Sequence, residues 1–194
     1  MSTQTVVVVL AAVLVLGAVA VWLSATAGRL DRMHLRIAYA QASLERQLVE
    51  RAAATADVAH SGVLDPAASV LLLAAADDAR DAARHSPGHG AGHPVRAEAE
   101  SALSVDLRAV LGDGLTAESA WADDAARPLL VDLAAACDRV RLARGFHDDL
   151  VLRTRAVRCR PVVRWAHLAG HAAWPAVLDF DDEPPAALLT ASER

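Results

Sequence analysis

Aromatic side chains make up only 4% of this sequence, and lysine is missing altogether. Scarce aromatics leave Ala, Leu and Val to build the core; Ala has the best helix propensity, and the aromatics that favour strands are few. The composition therefore specifies an all-α fold. All 19 basic residues are Arg, which a GC-rich coding sequence explains without any special chemistry. Cysteine is nearly absent too. Cys137 and Cys159 stand far apart, with no Cys-x-x-Cys pair and no lipobox near the start. They read as small core residues of a reducing compartment, with a disulfide as the alternative. No glycine-rich phosphate loop follows a strand pattern, since Gly112-Asp113-Gly114 reads as a helix stop, and no nucleophile turn occurs. A formal net charge of −5 gives no electrostatic case for binding nucleic acid.

Charge is also lacking over one long stretch, Thr5 to Leu23. At a rise of about 1.5 Å per residue, such a run spans close to the hydrocarbon core of a bilayer, roughly 30 Å. The small residues Ala25-Thr26-Ala27 before Gly28 also resemble a signal-peptide cleavage site. Three features favour a retained anchor: no basic residue in Met1-Ser2-Thr3-Gln4, an apolar run longer than a signal core, and Arg29, Arg32 and Arg36 just beyond the cut. By the positive-inside rule these arginines keep the remainder in the cytoplasm, with the N-terminus outside. The expected plan is a short extracytoplasmic start (1–4), a transmembrane helix (5–27), an antiparallel bundle of long helices (28–170) and an acidic, proline-containing tail (171–194).

Beyond Gly28 the pattern becomes amphipathic. Met33, Ile37, Ala40, Leu44, Leu48, Ala52 and Ala59 recur every three or four residues, which predicts one buried helical stripe ending at Ser61-Gly62. Arg36, Glu45, Arg46, Glu50 and Arg51 are assigned to the solvent side, with Arg46 and Glu50 spaced to pair. Asp65 and Pro66 start a second helix in which Val70 to Leu73 enter the core. His85 to Pro94 is a breaker-rich loop. A third helix runs from Pro94 with Ala99, Ala102, Leu103, Leu107, Val110 and Leu111 inward. Thr116 caps a short fourth helix. Arg127-Pro128 opens the longest soluble one, whose stripe includes Leu133, Cys137, Val140 and Phe146. A last helical piece holds Val162, Val163, Trp165 and Leu168, and the tail docks by its aromatics before fraying.

Three stretches resemble the LemA family. Ala40, Leu44, Glu45, Gln47, Leu48 and Arg51 stand as Ala-x3-Leu-Glu-x-Gln-Leu-x2-Arg, similar to the family's first soluble helix, Ala-x3-Ile-Asp-x-Gln-Leu-x2-Arg. Ala99-Glu100-Ser101-Ala102-Leu103-Ser104 is similar to its Ala-Glu-Asn-Ala-Leu-Ser segment. Arg139, Val140, Ala143, Arg144, Phe146, Asp148 and Val151 are similar to its later helix ending Ala-Arg-x-Tyr-Asn-x2-Val. The family's Tyr-Asn is Phe146-His147-Asp148 here, and an acidic position two turns earlier is Cys137, features of a divergent, actinobacterial-like branch. The resemblance implies an antiparallel helical bundle on a single-pass anchor, no established enzymatic activity for the family, and a role in membrane organisation or envelope response.

Candidate chemistry is sparse. His85, His89 and His93 repeat every fourth residue, but Pro87, Gly88, Gly90 and Gly92 deny them a rigid helix. His167 and His171 share a helical face without the Glu of His-Glu-x-x-His. These five form the metal-binding alternative, and no cofactor is expected. His147, Asp148 and Asp149 lack a nearby nucleophile; Phe146 is expected to pack inward and the carboxylates to face water or Arg. Arg139, Arg141 and Arg144 begin an arginine-rich run. Arg153, Arg155, Arg158, Arg160 and Arg164 continue it as a candidate lipid or partner surface, with pairing to the acidic residues Asp179 to Glu183 as the other reading. The expected function is a membrane scaffold acting through self-association or a protein partner. A metal-sensing protein is the rival.

Overall fold

The computed structural model describes residues 3–85, 94–112, 114–166 and 173–189, apart from the side chains of 114–116. Among them are seven helices and no strand, so the chain is all-α. The first helix, α1 (Thr3–His60), runs unbroken from the apolar segment into the amphipathic one. Gly17 and Gly28 lie inside it, where each weakens a helix by only about 1 kcal/mol relative to Ala. It ends as expected at Ser61-Gly62: the Ser61 hydroxyl donates to the Val58 carbonyl at 2.6 Å, and Gly62 takes φ +78°, which a residue with a Cβ rarely adopts.

Asp65 caps α2 (Pro66–His85), its carboxylate accepting the Ala67 and Ala68 N–H groups at 2.9 and 3.0 Å. After α3 (Pro94–Leu111), α4 (Gly114–Ala122) begins two residues before Thr116, the expected cap. Asp123 accepts from the Ala125 and Ala126 N–H groups just ahead of α5 (Arg127–Arg158). Two short helices follow, α6 (Pro161–Trp165) and α7 (Ala186–Leu189), the second within the tail.

The chain forms two compact units. The first comprises Met1–Ala38 and Leu150–Pro175. Its apolar window on α1 is long enough to cross a membrane and none of it is buried, with Val7, Leu14, Leu16 and Val21 all exposed. Further along, Leu30 and Ile37 of α1 are buried, as are Val151 and Thr154 of α5 and Val163 of α6.

The second unit comprises Tyr39–Asp149 and Ala176–Arg194. Leu44 and Leu48 of α1 share a core with Val140 of α5, while Ala52, Ala56, Val58 and Ala59 share another with Leu130, Leu133, Ala134 and Cys137. As α1 advances α5 recedes, the order of an antiparallel pair. Leu72, Ala75, Ala76 and Ala79 of α2 and Leu103, Leu107, Val110 and Leu111 of α3 complete the larger core. Each fully buried Leu contributes about 1.5–3 kcal/mol of apolar transfer.

Several expectations need correction. Four successive apolar residues point around most of a helix, so of Val70 to Leu73 only Leu72 is fully buried, and Val70 and Leu71 are exposed. Ala102 is exposed, and Ala99 is only half-buried. On α5, at 3.6 residues per turn, His147 falls about 20° from the Val140 line and Phe146 about 120° from it. Hence His147 is buried and Phe146 is 67% exposed, the reverse of the expected packing. Arg51 is only 2% exposed, because it follows Leu44 by seven residues and continues the buried stripe. Glu50 pairs with Arg139 at 3.7 Å, across helices. Cys137 is a buried core thiol as expected, but Cys159 is exposed, and both are free.

Candidate functional site

The second unit holds a charged cluster inside its helices. Arg51 of α1 reaches α3, where its guanidinium donates to the Glu100 carboxylate at 2.8 Å, the Glu100 carbonyl at 3.1 Å and the Ser104 hydroxyl at 2.9 Å. Arg96, one turn before Glu100, lies 3.6 Å from the other carboxylate oxygen. All four side chains are buried, which follows from the spacing of α3: Arg96, Glu100, Leu103 and Leu107 fall on one face. Burial pushes the Glu100 carboxyl above its usual range, against the opposing pull of Arg51 and Arg96. Two guanidinium groups face one carboxylate, so the cluster carries surplus positive charge. Arg51 Nε, Arg96 Nε and Nη2 and Glu100 Oε1 have no hydrogen-bond partner.

The tail meets this cluster from the surface. The Ser104 hydroxyl contacts the Asp181 carbonyl at 2.7 Å, and the Asp181 N–H donates to the Ser101 hydroxyl at 3.0 Å. Arg108 forms a two-pronged ion pair with the Asp181 carboxylate and donates to the Glu183 carbonyl at 2.7 Å. The bond between Arg108 and the Asp181 carboxylate, with Arg51 nearby, holds Asp181 below the ordinary carboxylate range and raises Arg108.

A second arginine grips the segment before it. Arg144 of α5 pairs with Asp182 at 2.7 Å and donates to the carbonyls of Leu178 and Phe180, with its guanidinium 4.7 Å from the Phe180 ring centre. Asp148, one turn on, accepts the Leu178 N–H at 3.2 Å and contacts His147 at 3.1 Å. Leu178 and Phe180 are buried beside Leu44, Leu48 and Val140. The outcome is a cleft in which residues 178–183 lie without helix or strand, gripped through backbone and side chains alike. A shallow cavity of about 580 Å³, lined in part by Arg141, Leu142, Arg144 and Asp182, borders it.

No family model, curated protein or solved structure matches this chain. Within it, however, residues quoted from separate stretches of the sequence converge: Arg51 from the first, Glu100, Ser101 and Ser104 from the second, Arg144 and Asp148 from the third. The cluster is hidden in the sequence because a charged residue such as Arg51 is assigned to the surface by its side chain alone. Its spacing from Leu44 and Leu48 was the available signal.

The expected candidates fall elsewhere. His85 is exposed at the end of α2, its Nδ1 2.8 Å from the Asp81 carbonyl, whereas His89, His93, His167 and His171 lie outside the described residues. Among the described residues no cluster of His, Cys, Asp or Glu suits a metal ion. His147 faces Asp148 and is buried away from solvent. The arginine run divides: Arg144 belongs to the cleft, pairing with the acidic tail as one reading anticipated. In the first unit Arg155 donates to the Pro175 carbonyl at 2.7 Å. Arg158 donates to the Ala173 carbonyl at 2.6 Å and stacks over Trp174 at 4.9 Å. Arg153, Arg160 and Arg164 are exposed. In the same unit Arg158 lies 3.4 Å from His34 of α1.

Proposed function

We propose that this chain is a single-pass membrane protein with no catalytic activity, whose helical bundle serves at the cytoplasmic surface as a scaffold for protein partners. The observation that carries this reading is the exposed apolar segment of α1, which continues without interruption into the helix that supplies half of the bundle's antiparallel pair. A cleaved leader has no need of such continuity. The first unit supports the orientation: it contains Arg29, Arg32, Arg36, Arg153, Arg155, Arg158, Arg160 and Arg164, against Asp31 as the sole carboxylate in those segments. Arginines next to a span are retained on the cytoplasmic side and attract anionic lipid by about 1 kcal/mol each near the surface. The LemA-like order of residues fits the same role.

The test is the fate of the N-terminus and the side on which the bundle lies. Resistance to carbonate extraction, an intact N-terminus by mass spectrometry and an inactive C-terminal phosphatase fusion are the expected results. A mature chain starting at Gly28, or strong phosphatase activity, would overturn the reading.

A further inference from the structure

We propose that the cleft occupied by residues 178–183 is an exchangeable peptide site, which receives from a partner protein an extended acidic segment of the form Leu-x-Phe followed by carboxylates. The proposal rests on the interaction-scaffold reading and names the chemistry of the partner. Much of the grip on the present occupant is on its backbone. Arg144 binds the carbonyls of Leu178 and Phe180, Ser101 and Ser104 engage Asp181, Asp148 takes the Leu178 N–H, and Arg108 takes the Glu183 carbonyl. Such bonds accept any extended chain. Sequence enters through two buried apolar anchors, Leu178 and Phe180, and through carboxylates opposite Arg108 and Arg144. Backbone bonds for affinity and spaced pockets for specificity are how folded domains read linear motifs.

The receptor side keeps partners of its own without the tail. Ser104 is bonded to Arg51, Ser101 donates to the Ala97 carbonyl at 2.7 Å, and Arg144 lies 3.7 Å from Asp148. The ion pairs to the tail are partly open to solvent, unlike Arg51 with Glu100, so water can take their place when the tail leaves. The surplus charge of the buried cluster remains to attract a replacement carboxylate. The chain's own tail therefore acts as a tethered competitor, present at high effective concentration.

The experiment titrates a fluorescent peptide with the sequence of residues 176–185 onto the full chain in detergent micelles, reading anisotropy. The Asp181→Ala/Asp182→Ala chain, whose own tail is weakened, should bind the peptide at least about tenfold more tightly than the parent chain. Adding Arg108→Gln and Arg144→Gln should abolish that binding, and a peptide of scrambled order should not bind. No binding by the weakened-tail chain with its helical circular dichroism intact would overturn the proposal. So would loss of helicity on weakening the tail, since the tail would then be part of the core. A dimer that dissociates on the same substitutions would assign the cleft to tail exchange between copies and overturn a separate partner. None of these results bears on the anchor, which the extraction and fusion tests address independently.

Discussion

Arg51 of α1 and Glu100 of α3 stand 49 positions apart in sequence and meet at 2.8 Å, both almost wholly shielded from water. Desolvation makes such a pair costly to assemble and costlier still to halve, because the remaining charge stays buried. The presence of Arg96 orders the outcomes. Glu100→Ala leaves two buried guanidinium groups without their direct carboxylate partner and is expected to cost about 3–5 kcal/mol. Arg96→Leu removes the surplus charge together with two buried donors that make no hydrogen bond, and should cost about 1 kcal/mol or less. Chemical denaturation of the full chain in detergent gives the ranking, and an Arg96→Leu chain as damaged as Glu100→Ala would contradict it.

The two perturbed carboxylates should give stability opposite dependences on pH. Asp181 is held below its usual value of 3.8, so its contribution is complete above that pH and is lost as pH falls through the folded value. Glu100 is raised above 4.5, so keeping it ionised costs stability, and that cost disappears as pH falls through its folded value. As pH falls, the core should be relieved before the tail is released, because Glu100 is raised above its ordinary value and Asp181 is held below its own. Glu100→Gln should remove the first effect and Asp181→Asn the second, read by thermal unfolding between pH 3 and 7. At pH 7, Asp181→Asn should also speed amide exchange across residues 176–185 about fivefold, the loss of an ion pair of roughly 1 kcal/mol.

The two thiols should behave differently. Cys159 is exposed, while Cys137 is buried and burial pushes its thiol up. A maleimide is expected to label one cysteine per folded chain, mapped to Cys159 by peptide mass, and a second only after unfolding. Labelling of Cys137 in the folded chain, or of neither thiol without reductant, would contradict the core arrangement.

Periodicity and turn chemistry were enough to read the helices. Asp65-Pro66 starts α2, Gly62 ends α1, and Arg127 starts α5, because caps and breakers act locally. The cleft was harder to read, for a physical reason. A charged residue on an apolar stripe looks like a solvent residue until its partner is known, and the partners of Arg51 lie on α3. The inversion of Phe146 and His147 has a similar origin: hydrophobicity favoured Phe146, but helix geometry fixed His147 on the Val140 line. The sequence offers the whole run from Arg139 to Arg164 as partners for the acidic tail; the fold selects Arg144 from that run and adds Arg108 of α3 from outside it.

Arg160 stands at the N-cap of α6 in the first unit and Arg164 in its last turn, next to the exposed Trp165, in a segment without a carboxylate. Arginine and tryptophan together suit the headgroup layer, where each cation contributes about 1 kcal/mol toward anionic lipid. A chain beginning at Arg29 should therefore float with vesicles containing phosphatidylserine or phosphatidylglycerol and remain behind with phosphatidylcholine alone. Arg160→Gln/Arg164→Gln should weaken partitioning by roughly 2 kcal/mol, about thirtyfold, at low salt, with the difference shrinking as salt screens it. These two residues are the informative pair, because Arg155 and Arg158 also hold the backbone of residues 173–175 and their loss would disturb structure as well as charge. Flotation that ignores lipid charge, or that survives the double substitution unchanged, would leave the anchor as this unit's membrane contact and remove the arginines from it.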